Sequence, residues 1–367
     1  MKRLAAALAI GMATQAGAGG LDLTGQPTTF LFQRGTVAEL GFGRIQPSIT
    51  GNDTAAFGSG ASGNIASDIT LPFLSFKTDL TERLSFGISY ETPFGADVAY
   101  APTSLAFGGT RASAETASVT ALLRYRLSDR VSVHGGLRWQ RASAEFLLTG
   151  AVYGPIAGYG ATMSGDDALG YVAGVTYEIP EYFIRATLTY SSAISHSFPT
   201  VESQGPVILS TAPTEAETPQ SLNFEFTAGV APKTFVFGGA RWVDWSELRF
   251  DPAFLVAFAG EGLVDFNDTI TYSLGVGRQL NDRWTLLASL LYEPGTDPLT
   301  TPLAPTDGFW GVSLGAVYAM DNTEIHANVT ATFLGDATPE VGTPDMVVGS
   351  FTDNSSLGFG LKLVHRF

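Results

Sequence analysis

Cysteine is missing altogether, and basic residues are scarce: 20 lysines and arginines stand against 35 acids, for a net charge of -15. The first absence excludes a disulfide scaffold and thiolate chemistry, and suits export through an oxidising compartment. The second excludes nucleic acid as a partner, because neutralising phosphates takes lysine and arginine. Beyond Gly19 there is also no run of 18 or more apolar residues, so a helical membrane protein is excluded. Charged residues make up only 15%, while the chain carries 42 glycines, 12 tyrosines and 25 phenylalanines. A closed β-barrel is the remaining way to hold that much apolar surface in lipid, since it pairs its backbone groups between strands.

The end of the chain carries the pattern that such a barrel needs. Leu357, Phe359, Leu361, Leu363 and the terminal Phe367 share one face, and Ser356, Gly358, Gly360, Lys362 and Arg366 share the other, which is the two-residue period of a strand. The same alternation recurs upstream. In residues 116–126, Val119, Ala121, Leu123 and Tyr125 are expected to face lipid, with Thr120, Leu122 and Arg124 facing the lumen. In residues 283–293 the outward set is Trp284, Leu286, Ala288, Leu290 and Tyr292, with an aromatic at each end. That suits two interfacial girdles about 25 Å apart.

Short punctuations at 79–83, 127–130, 179–181, 231–233, 280–283 and 320–323 alternate with long ones near 51–68, 101–110, 150–167, 196–219, 251–264, 294–307 and 335–353. Short periplasmic turns and long outer loops in this order are the signature of a transmembrane barrel, and they delimit fourteen strands. A soluble β-sandwich also alternates, but its loops are not sorted by length. The expectation is therefore all-β: a 14-stranded antiparallel transmembrane barrel over 36–367, a short plug over 19–35, and a secretory signal peptide over 1–18. Lys2 and Arg3 precede the apolar run Leu4 to Met12, and Ala16-Gly17-Ala18 offers a small-residue cleavage site.

Nothing in the chain points to catalysis, a metal or another cofactor. His134, His196, His326 and His365 have no metal-ligand spacing, and there is no Gly-x-Ser-x-Gly elbow. His134 and His326 fall on lumen faces, where polar side chains are ordinary. The candidate ligand-binding residues are those suited to an amphiphile, with an apolar groove ending in a cation. Arg124, Arg138 and Arg185 point inward by the alternation, with Arg138 and Arg185 expected mid-strand. Inward acids such as Glu91, Glu178 and Glu225 offer these arginines a purely structural role. In the loops, Phe254, Leu255 and Phe258 lie in an apolar run within 251–264, and Tyr153 and Tyr159 lie in a second apolar, Gly-rich loop over 153–163. Exposed apolar patches of this kind mark interaction sites. Phe30 and Phe32 are candidates for a short apolar plug.

Three stretches resemble the FadL-type family of outer-membrane long-chain fatty acid and hydrocarbon transporters. They are LSFGISYETPFG from Leu84, TPQSLNFEFTAGVAPKTFVFGGARWVDWSEL from Thr218, and DFNDTITYSLGVGRQLNDRWTLLASLLYEPG from Asp265. The Trp242-x-Asp244-Trp245-Ser246 segment is the most specific part. The resemblance implies a monomeric fourteen-stranded barrel in the bacterial outer membrane, plugged at its N-terminus, with membrane lipid around it. It implies capture of a hydrophobic ligand at the outer face and passive passage inward or sideways. A kink in the third strand is implied as the gate, which puts Pro93, Phe94 and Gly95 there; proline lacks a ladder donor and glycine weakens pairing. The chain departs from the family in lacking the usual long hatch and its Asn-Pro-Ala signature. A general or substrate-selective porin, or a surface barrel without transport, remains as an alternative.

Overall fold

The protein is described from a computed structural model over residues 21–342 and 345–367, so the expected signal peptide lies outside the described residues. Fourteen strands form the wall. The first seven are β1 (Val37–Ser48), β2 (Ile69–Asp79), β3 (Leu84–Glu91, resuming at Gly95–Ala99), β4 (Arg111–Arg126), β5 (Val131–Leu148), β6 (Tyr159–Ile179) and β7 (Ile184–Ser191). The second seven are β8 (Ser221–Ala231), β9 (Thr234–Val243), β10 (Thr269–Gln279), β11 (Trp284–Glu293), β12 (Phe309–Ala319), β13 (Thr323–Leu334) and β14 (Ser355–Arg366). Neighbours in sequence pair antiparallel, and β14 returns to β1 with Val37 opposite Arg366 and Ser48 opposite Ser355. The result is a closed antiparallel barrel of fourteen strands. Closure leaves no edge to be hydrogen-bonded by lipid, which could not do it.

Each strand sorts its side chains as the alternation requires. Leu40, Phe42, Leu74, Leu123, Leu290, Leu314 and Leu361 are exposed on the outer surface, whereas Ser89, Thr120, Thr189, Asn223 and Thr271 are buried inside. Trp284 packs on Tyr318 and Trp310 on Phe333 at opposite ends of the same wall, with centroids 4.8 and 4.3 Å apart. Those pairs sit where interfacial girdles belong. Among the described residues no helix is long and apolar enough to cross a membrane.

The turns are built economically. Three share one pattern, a leucine, a short polar residue, an acid and an arginine: Leu80-Thr81-Glu82-Arg83, Leu127-Ser128-Asp129-Arg130 and Leu280-Asn281-Asp282-Arg283. In each, the side-chain oxygen of the second residue accepts the backbone N–H of the next strand's first turn, from Leu84 (3.0 Å), Val131 (3.1 Å) and Trp284 (3.0 Å). Side chains that mimic a backbone acceptor let a tight turn close without an orphaned donor.

Two loop expectations differ from what the chain does. Residues 159–167 are not loop: β6 starts at Tyr159, and its ladder with β5 extends through a bulge at Ala142/Ala144 up to Leu148 opposite Tyr159. Glycines and alanines there read as loop, but Tyr159, Ala161 and Met163 are fully buried against an apolar cluster, and that burial selects the strand. Thr200–Gln204 adds to the same edge. The apolar run in the 251–264 loop forms a short helix, α1 (Ala253–Ala259).

Candidate functional site

Strand β3 is broken, and the break organises the interior. Glu91 pairs with Ser118 and Gly95 with Glu115, so four steps along β3 oppose three along β4. One extra residue is accommodated at Thr92-Pro93-Phe94, which turns inward. On the other side, the ladder between β2 and β3 ends at Leu74 opposite Tyr90. Beyond it β3 leans on the loop instead, where Ser67 N–H donates to Asp97 (3.1 Å) and Ala99 N–H to Ile65 (2.7 Å). Ile69 to Phe73 therefore have no ladder to β3, and Pro72 lies among them.

The inward-turned break is paired from within by the N-terminal segment. Leu23 N–H donates to Pro93 (2.9 Å) and Gly95 N–H to Leu21 (3.0 Å), while Asp22 and Phe94 form a bridge. Thr24 donates to Glu91 at 2.8 Å, and Arg241 of β9 holds Asp22 at 2.6 Å. Gly25, with φ +64°, reverses the chain so that its carbonyl meets the Asn223 amide at 2.8 Å. A positive φ of that kind is cheap only for glycine.

Above this segment is an apolar cavity. Leu21, Phe94, Phe198, Trp245, Leu248 and Phe250 are its large apolar lining residues, and Glu115, His196 and Glu217 its ionisable ones. No lysine or arginine lines it. Trp245 is only 1% exposed and packs edge-on against Phe94 at 5.5 Å. The local sequence places it there: β9 ends at Val243, Asp244 accepts from Gln220 (2.7 Å) and Ser246 (3.2 Å), and Trp242 reaches Asp268 (3.2 Å). The Trp-Asp-Trp-Ser segment thus folds the chain over the barrel mouth and aims its second indole at the strand break. On the far side of the N-terminal segment lies a second cavity of mixed lining, where Arg185, Asn223, Glu225 and Arg241 stand beside Phe226, Phe235, Phe237 and Leu291.

The candidate residues from the sequence separate into three levels. At the mouth, Tyr159 stacks on Phe254 (6.4 Å) and Phe254 on Phe258 (6.0 Å), with Leu255 buried, Tyr153 packed on the same cluster and Phe258 exposed. Glu202 joins them: it accepts from the Tyr159 hydroxyl (2.7 Å), Phe254 N–H (2.9 Å) and Leu255 N–H (3.0 Å). Its carboxylate thereby satisfies the first free donors of α1. At the middle level, Pro93, Phe94 and Gly95 form the break, and Arg138 pairs with Glu91 at 3.7 Å, both buried. At the lowest level, the Arg124 and Arg185 guanidiniums lie 4.5 and 4.8 Å from the centroid of the Phe32 ring. Arg124 also pairs with Glu178, and Phe30 packs with Leu31, Leu122 and Val172. Arg185 is the second residue of β7, at the periplasmic end, not mid-strand as expected. The helical turn Pro180–Tyr182 and the left-handed Phe183 lengthen the periplasmic turn, so that the strand begins only at Ile184.

Residues 4–345 match the family described as outer membrane protein transport protein (OMPP1/FadL/TodX). The chain belongs to that family. A FadL homologue from Pseudomonas aeruginosa has a similar structure, with 17% identity, 93% of this chain and 92% of that one covered, and a TM-score of 0.73. The toluene transporter TodX of P. putida follows with 15% identity, 93% and 92% coverage and a TM-score of 0.64. The monoaromatic hydrocarbon channel CymD has 16% identity, 91% and 89% coverage and a TM-score of 0.58. At these identities the structural similarity speaks to the fold. No curated protein sequence matches the chain. As an OMPP1/FadL/TodX member the protein is a bacterial outer-membrane transport barrel, in a family of channels and not of enzymes.

Sequence reasoning missed Trp245, Phe198, Phe250 and Arg241. Trp245 was visible as part of a family segment, but its inward aim comes from a chain reversal after β9. Phe250 lies in a loop, where no alternation indicates direction, and Phe198 ends a short alternating strand, Ile194–Phe198, inside a stretch expected to be loop.

Proposed function

We propose that the protein carries small hydrophobic molecules, long-chain fatty acids or hydrocarbons, across the outer leaflet by passive diffusion through the upper half of the barrel. The observation that carries this reading is the apolar cavity between the mouth and the β3 break. Phe254, Leu255, Phe258, Tyr153 and Tyr159 serve as the landing surface above it. Pro93, Phe94 and Gly95 serve as the gate, leading sideways through the stretch where β2 and β3 share no ladder. Residues 19–35 act as the plug, with Phe30 and Phe32 seated among Leu122, Val172 and the two arginines. Lateral exit is favoured over periplasmic exit because the N-terminal segment closes the way down, and the cavity beyond it carries Arg185, Glu225 and Arg241, whose charged groups an apolar solute would have to desolvate. Arg124, Arg138 and Arg185 serve the interior in this reading, since each faces an acid or a ring. Hydrocarbons are proposed beside fatty acids as cargo with the support of the toluene transporter and the monoaromatic hydrocarbon channel among the similar structures.

Deleting Pro93 tests the gate. It removes the extra residue, so Glu91 and Gly95 fall into one continuous register and alternation against β4, closing the wall. Uptake of labelled hydrocarbon and fatty acid by cells expressing this variant is expected to fall to the level of cells without the protein, with the barrel folded. Unchanged uptake would move the exit to the periplasmic side. Sugars passing as fast as hydrocarbons through the unmodified protein would favour a general porin.

A further inference from the structure

We propose that the outer mouth is an electrostatic filter that passes neutral hydrophobic molecules faster than anionic ones of the same apolar shape, so that ionised fatty acids enter more slowly than neutral cargo. This rests on the reading that hydrophobic cargo enters by the outer mouth, and it narrows that cargo by charge.

The acidity of the chain is sorted by side of the membrane. The periplasmic turns nearly balance, with Arg83, Arg130, Lys233 and Arg283 among their acids. The outer loops do not. Loops 49–68, 192–220, 294–308 and 335–354 contain aspartate or glutamate and no lysine or arginine, and loops 100–110 and 149–158 are uncharged. Loop 244–268 carries Asp244, Glu247, Asp251, Glu261, Asp265 and Asp268 against Arg249 alone.

The few cations near the mouth are already matched. Arg249 pairs with Asp265 (3.4 Å), and at the outer strand ends Arg44 pairs with Asp68 (2.6 Å), Arg141 with Asp167 (3.2 Å) and Arg111 with Glu145 (4.0 Å). An arriving carboxylate thus meets acids in excess, and then a cavity lined without lysine or arginine. Carboxylates from three loops also converge: besides its partial burial, Glu340 is held above the ordinary glutamate range by Asp345, Glu261, Asp265 and Asp297.

A mouth of one charge sign with low-dielectric walls focuses its field, and such fields change local ligand concentration and entry rates by about 10 to 1,000-fold. They fade over a Debye length of about 8 Å at physiological ionic strength.

The experiment compares a long-chain alcohol with the fatty acid of equal length, each corrected for cells without the protein. It uses the full chain and a variant carrying Glu261→Gln, Asp265→Asn, Asp297→Asn, Glu340→Gln and Asp345→Asn. At low salt and pH above 7, the unmodified protein is expected to favour the alcohol by about tenfold or more. The preference should shrink several-fold in the variant, and also for the unmodified protein at about 0.5 M salt, through faster acid uptake with alcohol uptake unchanged. A ratio near one, or a preference that neither salt nor the variant alters, overturns the filter while leaving the transport reading intact. If neither molecule enters through a folded barrel, the transport reading fails and takes the filter with it.

Discussion

Asp22 and Arg241 lie 219 residues apart in sequence and meet at 2.6 Å in the interior, where they tie the N-terminal segment to β9. The same guanidinium donates to Ser221 (3.0 Å) and Asn223 (2.7 Å), so one arginine fixes the segment against two strands.

Removing one partner of a buried pair strands the other charge and costs about 3–5 kcal/mol. Asp22→Asn should therefore loosen the segment without unfolding the wall, which is held by its ladders. The expected readout is higher single-channel conductance in planar bilayers, with the double change Asp22→Asn, Arg241→Met lying closer to the unmodified protein than Asp22→Asn alone. Identical conductance for all three would show that the pair does not hold the plug.

Gly87 lies on β3 directly under the plug. A Cβ there would stand 2.5 Å from Leu31 Cδ2 and 2.7 Å from Phe30 Cε2. Overpacking of this kind costs about 1–3 kcal/mol. Gly87→Val is expected to displace Phe30 and Leu31 and to raise leakage of small polar solutes. Gly87→Ala should do so less, because the atoms it meets are the ends of flexible side chains. Equal leakage in Gly87→Val and the unmodified protein would contradict the packing seen here.

His196 sits in the hairpin Ile194–Phe198 with Thr214–Thr218 that walls the apolar cavity, contacting Asp166 at 3.0 Å and Gln140 at 3.1 Å. Burial holds its imidazole below the ordinary value of 6.5, against the upward pull of Asp166 and Asp167. The open hairpin then binds the proton more readily than the closed one. Its stabilisation is full above about pH 6.5 and declines as pH falls below that value. Once the intrinsic pH dependence of amide exchange is divided out, protection of residues 194–218 should be lower at pH 5 than at pH 8, and His196→Asn should remove the difference. Protection factors equal at the two pH values in the unmodified chain would refute the assignment.

Leu361 is 54% exposed on the lipid face of β14. An arginine there should cost about 2–4 kcal/mol if the position is near the bilayer midplane, measured as urea-dependent folding into vesicles. Leu122→Ala, on the opposite face of β4, should destabilise by cavity formation instead, by about 2–5 kcal/mol.

Much of this was legible in the chain. Alternation assigned Leu123 and Tyr125 to lipid and Leu122 and Arg124 to the interior, because a two-residue period leaves only two faces. The turns at 80–83, 127–130 and 280–283 were readable because their residues do local work. The loops were harder. Tyr159 sits in a stretch of glycine and alanine with weak strand preference, and only the apolar cluster above the barrel makes it a strand. Alternation turned Arg138, Arg124 and Arg185 inward beside acids such as Glu91 and Glu178, but which arginine meets which acid, and that Arg124 and Arg185 lie over Phe32, depends on the closed barrel.

The sequence by itself determined the barrel, its strand count, its membrane and the excess of acid on its outer loops, since periodicity, turn chemistry and charge are properties of neighbours along the chain. Tertiary structure alone decided that the break at Thr92-Pro93-Phe94 turns inward to meet Leu21 and Leu23, that Trp245 covers Phe94, and that Asp22 finds Arg241. Those are contacts between residues far apart in sequence, and they exist only because closing the ladder from β1 to β14 brings distant segments into one lumen.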